Sequence, residues 1–230
     1  CLCVSPVSMN VITAPYAIPT ASGTTLVYEI VLSDYRTDHL TLNKVEVFAD
    51  NVLHRTFTEE DFLPEAPDTD VFLTFPKTIT GLDDTYMCKQ PVLYFAIPLN
   101  VGENTPATLS HKLYFTRKMG CFELPMTFAG GDARVSTEPL LVIQPPFRGD
   151  RLAASEVMNA WTHHRQGIAM MEGKPYVSQR FAVDWSRLTE GGTMCSAPFN
   201  VNANHPCYSM DLIAVAPGRV VKVLDGVPDN

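Results

Sequence analysis

Apolar and polar residues along this chain alternate with the period of a β-strand more often than with that of a helix. Leu26-Val27-Tyr28-Glu29-Ile30-Val31-Leu32-Ser33 alternates well enough for a half-buried strand. In residues 40–49, Leu40, Leu42, Val45, Val47 and Ala49 share one face, with a slip near Asn43 that reads as a bulge. Residues 34–39 form the polar connection, and 51–57 continue the sheet after a turn at Asp50. Thr58-Glu59-Glu60-Asp61 has the cap and acidic first turn of a very short helix. Further strands are predicted at 71–75, at the almost wholly apolar 92–99, at 107–116, at 122–128 and at 138–143. Short strands separated by turn signals are the pattern of a β-sandwich, and their opening pair suggests one of immunoglobulin-like type.

The fold class expected is therefore all-β, in three parts. Residues 1–20 carry Pro6, Pro15 and Pro19 and read as an irregular segment. Residues 21–147 form the sandwich, ended by Pro145-Pro146. Residues 148–230 form a second, partial antiparallel β domain. In it, 149–161 reads as a linker with a helical turn, and Gly173-Lys174-Pro175 as a turn. Tyr176 to Trp185 reads as a strand with Asp184 near its end, and 186–206 as a long polar loop. Leu212 to Gly226 reads as two strands joined at Pro217-Gly218.

Composition narrows the function. At 46% hydrophobic and 18% charged the chain can bury a core. A net charge of -8 without a basic cluster argues against nucleic acid or an anionic membrane as a partner held by charge. No apolar run is long enough to span a bilayer. The six cysteines form no CxxC pair, which argues against a zinc knuckle. Cys1 stands where a bacterial lipoprotein carries its lipid, which would be a membrane tether; the alternative is an arbitrary chain start. An exported chain with an even cysteine count suggests disulfides. Cys195 and Cys207 bracket one loop, and Cys88 with Cys121 is the natural second pair, against the alternative that all are free thiols. No stripe of exposed aromatic residues of the kind sugar platforms use is evident.

Three stretches carry a family resemblance: His163-His164-Arg165, Gln179-Arg180-Phe181-Ala182-Val183-Asp184-Trp185, and the tail from Leu212 through Asp225-Gly226. Together they resemble the lysostaphin/LytM-type zinc endopeptidases of bacterial envelopes, in a branch where a β-sandwich precedes the peptidase domain. The resemblance covers residues 161–230 closely and 20–147 in strand pattern only. It implies an extracytoplasmic protein directed at peptidoglycan peptide cross-links. It also implies a zinc held by HxxxD and by a later HxH strand.

Asp184 matches the family's carboxylate ligand, but the family's first His falls on Arg180. A guanidinium has no lone pair to donate, so it cannot ligate. His164, favoured over its neighbour His163, is the substitute candidate. Arg180 is a candidate for neutralising Asp184 or for contacting a substrate carboxylate. No HxH occurs in these 230 residues, so little bound zinc is expected in this chain, and the zinc belongs to the complete protein. His39, His54 and His111 are expected to face solvent. The two leading functions are a metallopeptidase-like envelope protein, catalytically incomplete in this chain, and a non-catalytic envelope binding or regulatory β-sandwich protein.

Overall fold

The computed structural model describes residues 7–21, 23–34, 39–62, 71–73, 78–79, 92–155 and 163–227. The chain divides into two compact units. The first comprises Cys1–Glu138 together with Met158–Phe181, and the second comprises Pro139–Val157 together with Ala182–Asn230. The division falls a few residues before Pro145-Pro146, and a later segment returns to the first unit.

Among the described residues of the first unit every strand pairing is antiparallel. Its strands are β1 (Val7–Val11), β2 (Tyr16–Thr20), β3 (Gly23–Asp34), β4 (His39–Ala49), β5 (Val52–Thr58), β6 (Val71–Leu73), β7 (Thr78–Ile79), β8 (Val92–Pro98), β9 (Thr108–Met119) and β10 (Phe122–Arg134). One sheet runs β1-β3-β8-β6, with β2 also on β3. The other runs β10-β9-β4-β5, with β7 also on β4. The predicted bulge lies between Leu42 and Lys44. The expected short helix is a 3-10 turn over Glu59–Phe62, where the Asp61 carboxylate accepts the Thr58 N–H at 2.6 Å.

Residues 7–20, expected to be irregular, form β1 and β2. Pro19 sits opposite Thr24, on a strand that among the described residues pairs only with β3. Proline is tolerated at such an edge because its missing N–H leaves no ladder bond broken.

The two sheets close on one apolar cluster. Leu26, Tyr28, Ile30 and Leu32 of β3 and Leu93, Phe95 and Ile97 of β8 meet Leu40, Leu42, Val45 and Val47 of β4 and Leu109, Leu113 and Phe115 of β9. Period-two alternation puts each set on one face of its sheet. The opposite face of β3 is also covered. Val31 of β3 with Val92 and Tyr94 of β8 forms a second cluster, packed by Ile12 and Ile168. That cover comes from the returning segment: a helical turn, α1 (His163–Gln166), then a hairpin of β11 (Ile168–Met171) and β12 (Lys174–Val177). Glu172 and Gly173, both at positive φ, make its two-residue turn. This is the backbone that matches the right-handed twist of a hairpin.

Among the described residues the second unit contains one two-stranded sheet, β13 (Leu152–Ser155) against β14 (Asp184–Arg187). Arg187 braces it by donating to the Asp150 carboxylate at 2.6 Å. Four expectations are corrected here. Residues 152–155 form a strand where the helical turn was expected, and 138–143 form none. The strand predicted over 176–185 is broken, with residues 178–181 forming a turn between β12 and β14. The hairpin predicted over 212–226 does not pair with itself. Instead Ile213 N–H donates to Pro146 C=O at 2.6 Å and Gln144 N–H to Val215 C=O at 2.9 Å. A lone hairpin is marginal unless a sheet or helix covers its apolar face. Among the described residues of this unit only Phe147 is a buried hydrophobic side chain. Val220, Val221, Val223 and Leu224 are all exposed.

Candidate functional site

Of the stretches that carry the family resemblance, two arginines converge on one buried carboxylate, Glu29. This carboxylate projects from the outer face of β3, between Val27 and Val31 and opposite Tyr94 of β8. Its side chain is fully buried. Two arginines of the returning segment reach it.

Arg165, at the end of the His163-His164-Arg165 run, is 0% exposed. Its Nε donates to Glu29 Oε1 at 3.0 Å, and its Nη2 donates to the carbonyls of Tyr28 at 3.2 Å and Phe95 at 2.5 Å. Its guanidinium lies 5.6 Å from the Tyr94 ring centre. Burial pulls its pKa down, and Glu29 opposes that shift. Arg180, 4% exposed, arrives from the turn after β12. Its Nε donates to Glu29 Oε1 at 3.2 Å, its Nη2 to Glu29 Oε2, and its Nη1 to the Ala14 carbonyl at 3.3 Å. Phe181 then packs edge-on against Tyr16, with ring centres 5.8 Å apart. Two guanidinium groups thus share one carboxylate, and backbone carbonyls absorb part of the excess positive charge. Buried ions persist where hydrogen bonds replace lost water in this way.

The triad joins the HHR and QRF stretches of this sequence: each delivers one arginine to the same acid. It also changes the role expected for Arg180. The side chain is neither a surface group nor open to a substrate carboxylate, because all three of its nitrogens bond within the first unit.

The remaining candidates separate. His164 is buried in α1 of the first unit, whose residues follow a helical rather than an alternating pattern. Asp184 is exposed at the start of β14 in the second unit, not at the end of a buried strand. Among the described residues no group of three or more His, Cys, Asp or Glu side chains is placed to hold a metal ion. The donor set does not fit a zinc site of three protein ligands. Cys195 and Cys207 are half-buried free thiols and Cys121 is an exposed one, so the Cys195–Cys207 bond is not formed in this structure. Cys1 and Cys88 lie outside the described residues.

No family model, curated protein or solved structure matches the chain. The site must be read from its own geometry.

That geometry holds a second polar group that sequence reasoning placed wrongly. His111, expected at the surface, is 1% exposed in the main core. It shares a face of β9 with Leu109 and Leu113, so strict alternation carries it inward with them. Its Nδ1–H donates to the Gly131 carbonyl at 3.1 Å, which leaves Nε2 to accept the Tyr28 hydroxyl at 2.8 Å. Burial lowers its pKa to about 4, against the opposing pull of the Gly131 carbonyl, so the imidazole is neutral. One histidine therefore ties both sheets together and fixes the β10 backbone where its register with β9 shifts between Gly130 and Ala133. His54 is likewise not free in solvent, with Nδ1 3.1 Å from the Glu103 carboxylate. The side chain of His39 lies outside the described residues.

Proposed function

We propose that this chain is the non-catalytic binding and positioning part of a metallopeptidase-like protein of the bacterial cell envelope, acting on or beside peptidoglycan. In this reading the first unit is an immunoglobulin-like sandwich and the second belongs to a LytM-type β domain. The supporting observation is the Glu29–Arg165–Arg180 triad. The position where the family keeps its first zinc-binding His holds an arginine, and that arginine anchors a segment to the sandwich. A guanidinium has no lone pair for a metal, and this one spends its N–H groups on Glu29 and the Ala14 carbonyl. Placement outside the cytoplasm belongs to the same proposal.

The experiment is co-sedimentation of the chain with insoluble peptidoglycan, together with metal analysis and release of soluble muropeptides. The expected result is binding without release and without stoichiometric zinc. One equivalent of tightly held zinc, or cross-link cleavage suppressed by a chelator, would overturn the reading.

A further inference from the structure

On the outer face of the second sheet, most polar side chains are already satisfied by one another. Tyr114 donates to Glu46 at 2.7 Å, Lys44 donates to the same carboxylate at 2.7 Å, and Thr116 donates to Asn43 at 2.8 Å. At one end of this face the pattern stops. A groove of about 360 Å³ opens there, lined by Phe48, Asn51, Ser110, Lys112, Gly130 and Asp132. It continues along Thr108 and Arg134 through the same Asn51, Ser110 and Asp132. Among the described residues, the side chains of Asn51, Ser110 and Asp132 have no hydrogen-bond partner.

The groove is held rigid from two sides. Asp50, in the left-handed turn before Asn51, accepts the Ala107 and Thr108 N–H groups at 3.1 and 2.9 Å and the Thr108 hydroxyl at 3.0 Å. That pins the turn carrying Asn51 to the start of β9. On the other side, His111 grips the Gly131 carbonyl from within the core. Gly131 has φ +65°, and a Cβ there would stand 3.1 Å from His111 Nδ1. The bulge between Gly130 and Ala133 leaves Asp132 out of the ladder, as an exposed side chain on the groove wall. Bulges of this kind re-aim single side chains beside binding sites. A core histidine and a pinned turn are the supporting shell such a site requires.

We propose that this groove binds one or two saccharide rings of a neutral glycan. The volume lies in the range of small-ligand sites. Lys112 and Asp132 oppose each other where the groove opens and Arg134 lies on its continuation, so the lining carries both signs interspersed and no cluster of one sign. Asn51, Ser110, Asp132 and Lys112 supply mixed donors and acceptors, which match vicinal hydroxyls and an acetamido group. Phe48 supplies an apolar wall for the C–H face of a pyranose. It is one ring in a groove, not the exposed aromatic stripe whose absence the sequence shows. The inference deepens the binding role proposed above, and rests on it only for the choice of an N-acetylated sugar as probe.

The test is an amide chemical-shift titration of the full chain with the N-acetylglucosamine trimer, with a glucose trimer and a short peptide as other arms. Saturable shifts at Asn51, Ser110 and Asp132 are expected with the N-acetylated sugar. Asp132→Ala and Asn51→Gly, the latter chosen because glycine keeps the positive φ, should each weaken binding about tenfold, as loss of one good hydrogen bond does. Glu123→Gln, on the same strand away from the groove, should leave it unchanged. The same spectra show whether each variant is folded. Absence of saturable shifts at these residues, shifts with the peptide alone, or shifts indifferent to both variants would overturn the assignment. Sedimentation with whole peptidoglycan despite such a failure would leave the envelope-binding role standing without this site.

Discussion

Replacing Glu29 with glutamine is the sharpest test of how the first unit is held together. The substitution keeps the shape of the side chain and removes its charge. In the native protein Glu29 accepts from Arg165 Nε and from Arg180 Nε and Nη2, and its own exposure is nil. After Glu29→Gln, two guanidinium groups remain on the covered face of β3 with carbonyls as their only acceptors. Breaking a buried ion pair from one side typically costs about 3–5 kcal/mol. With two cations orphaned at once, the upper part of that range is expected. Chemical denaturation followed by tryptophan-independent far-UV signal should report the loss. Hydrogen exchange should place it first in residues 163–181, which depend on the acid for their attachment, before the sandwich core opens. Combining Glu29→Gln with Arg180→Met should recover part of the loss, because one orphaned charge is then gone. A cost under about 1 kcal/mol, in the range of exposed ion pairs, would refute the claim that this triad anchors the segment.

Other outcomes follow from neighbouring features. His111 has a folded pKa of about 4 against 6.5 when exposed, so the unfolded chain takes up a proton first as pH falls. Stability should therefore be full above about pH 6.5 and decline toward pH 4, by at most about 3 kcal/mol; a pH series of denaturation curves checks this, and His111→Gln should flatten that slope. Gly131→Ala forces a Cβ into the left-handed region beside His111 and should cost about 1–3 kcal/mol, read as a lowered denaturation midpoint. Cys121 and both Cys195 and Cys207 should react with a thiol reagent under native conditions, Cys121 fastest, and a Cys195→Ser/Cys207→Ser pair should leave stability within about 0.5 kcal/mol.

The strands of the sandwich were legible because their apolar faces are long and regular. β3, β4, β8 and β9 each lie where period-two alternation or a continuous apolar run put them, and the slip at Asn43 appears as a register shift. β2 was hidden by Pro19, which an edge strand accommodates, and β1 by the prolines that flank it in sequence. Glu29 was hidden by its own charge. A half-buried strand would show it to solvent, yet its same-face neighbours Val27 and Val31 are apolar, a sign that this face is covered. The two arginine motifs were visible in sequence, but their shared acid lies more than a hundred residues away, and no local pattern joins them. His111 was readable in principle, since it falls in step with Leu109 and Leu113. The tail was misread for the opposite reason: strand pattern and turn chemistry were present without a surface to cover them.

That tail has a practical consequence. Val220-Val221-Lys222-Val223-Leu224 offers four bare aliphatic side chains and a single charge, with an unladdered backbone beside them. Short stretches of this composition are where polypeptides adhere to one another as concentration rises. These five residues are thus a site of self-adhesion in the purified protein, and an acidic replacement at Val221 or Val223 is a simple route to samples that stay dispersed.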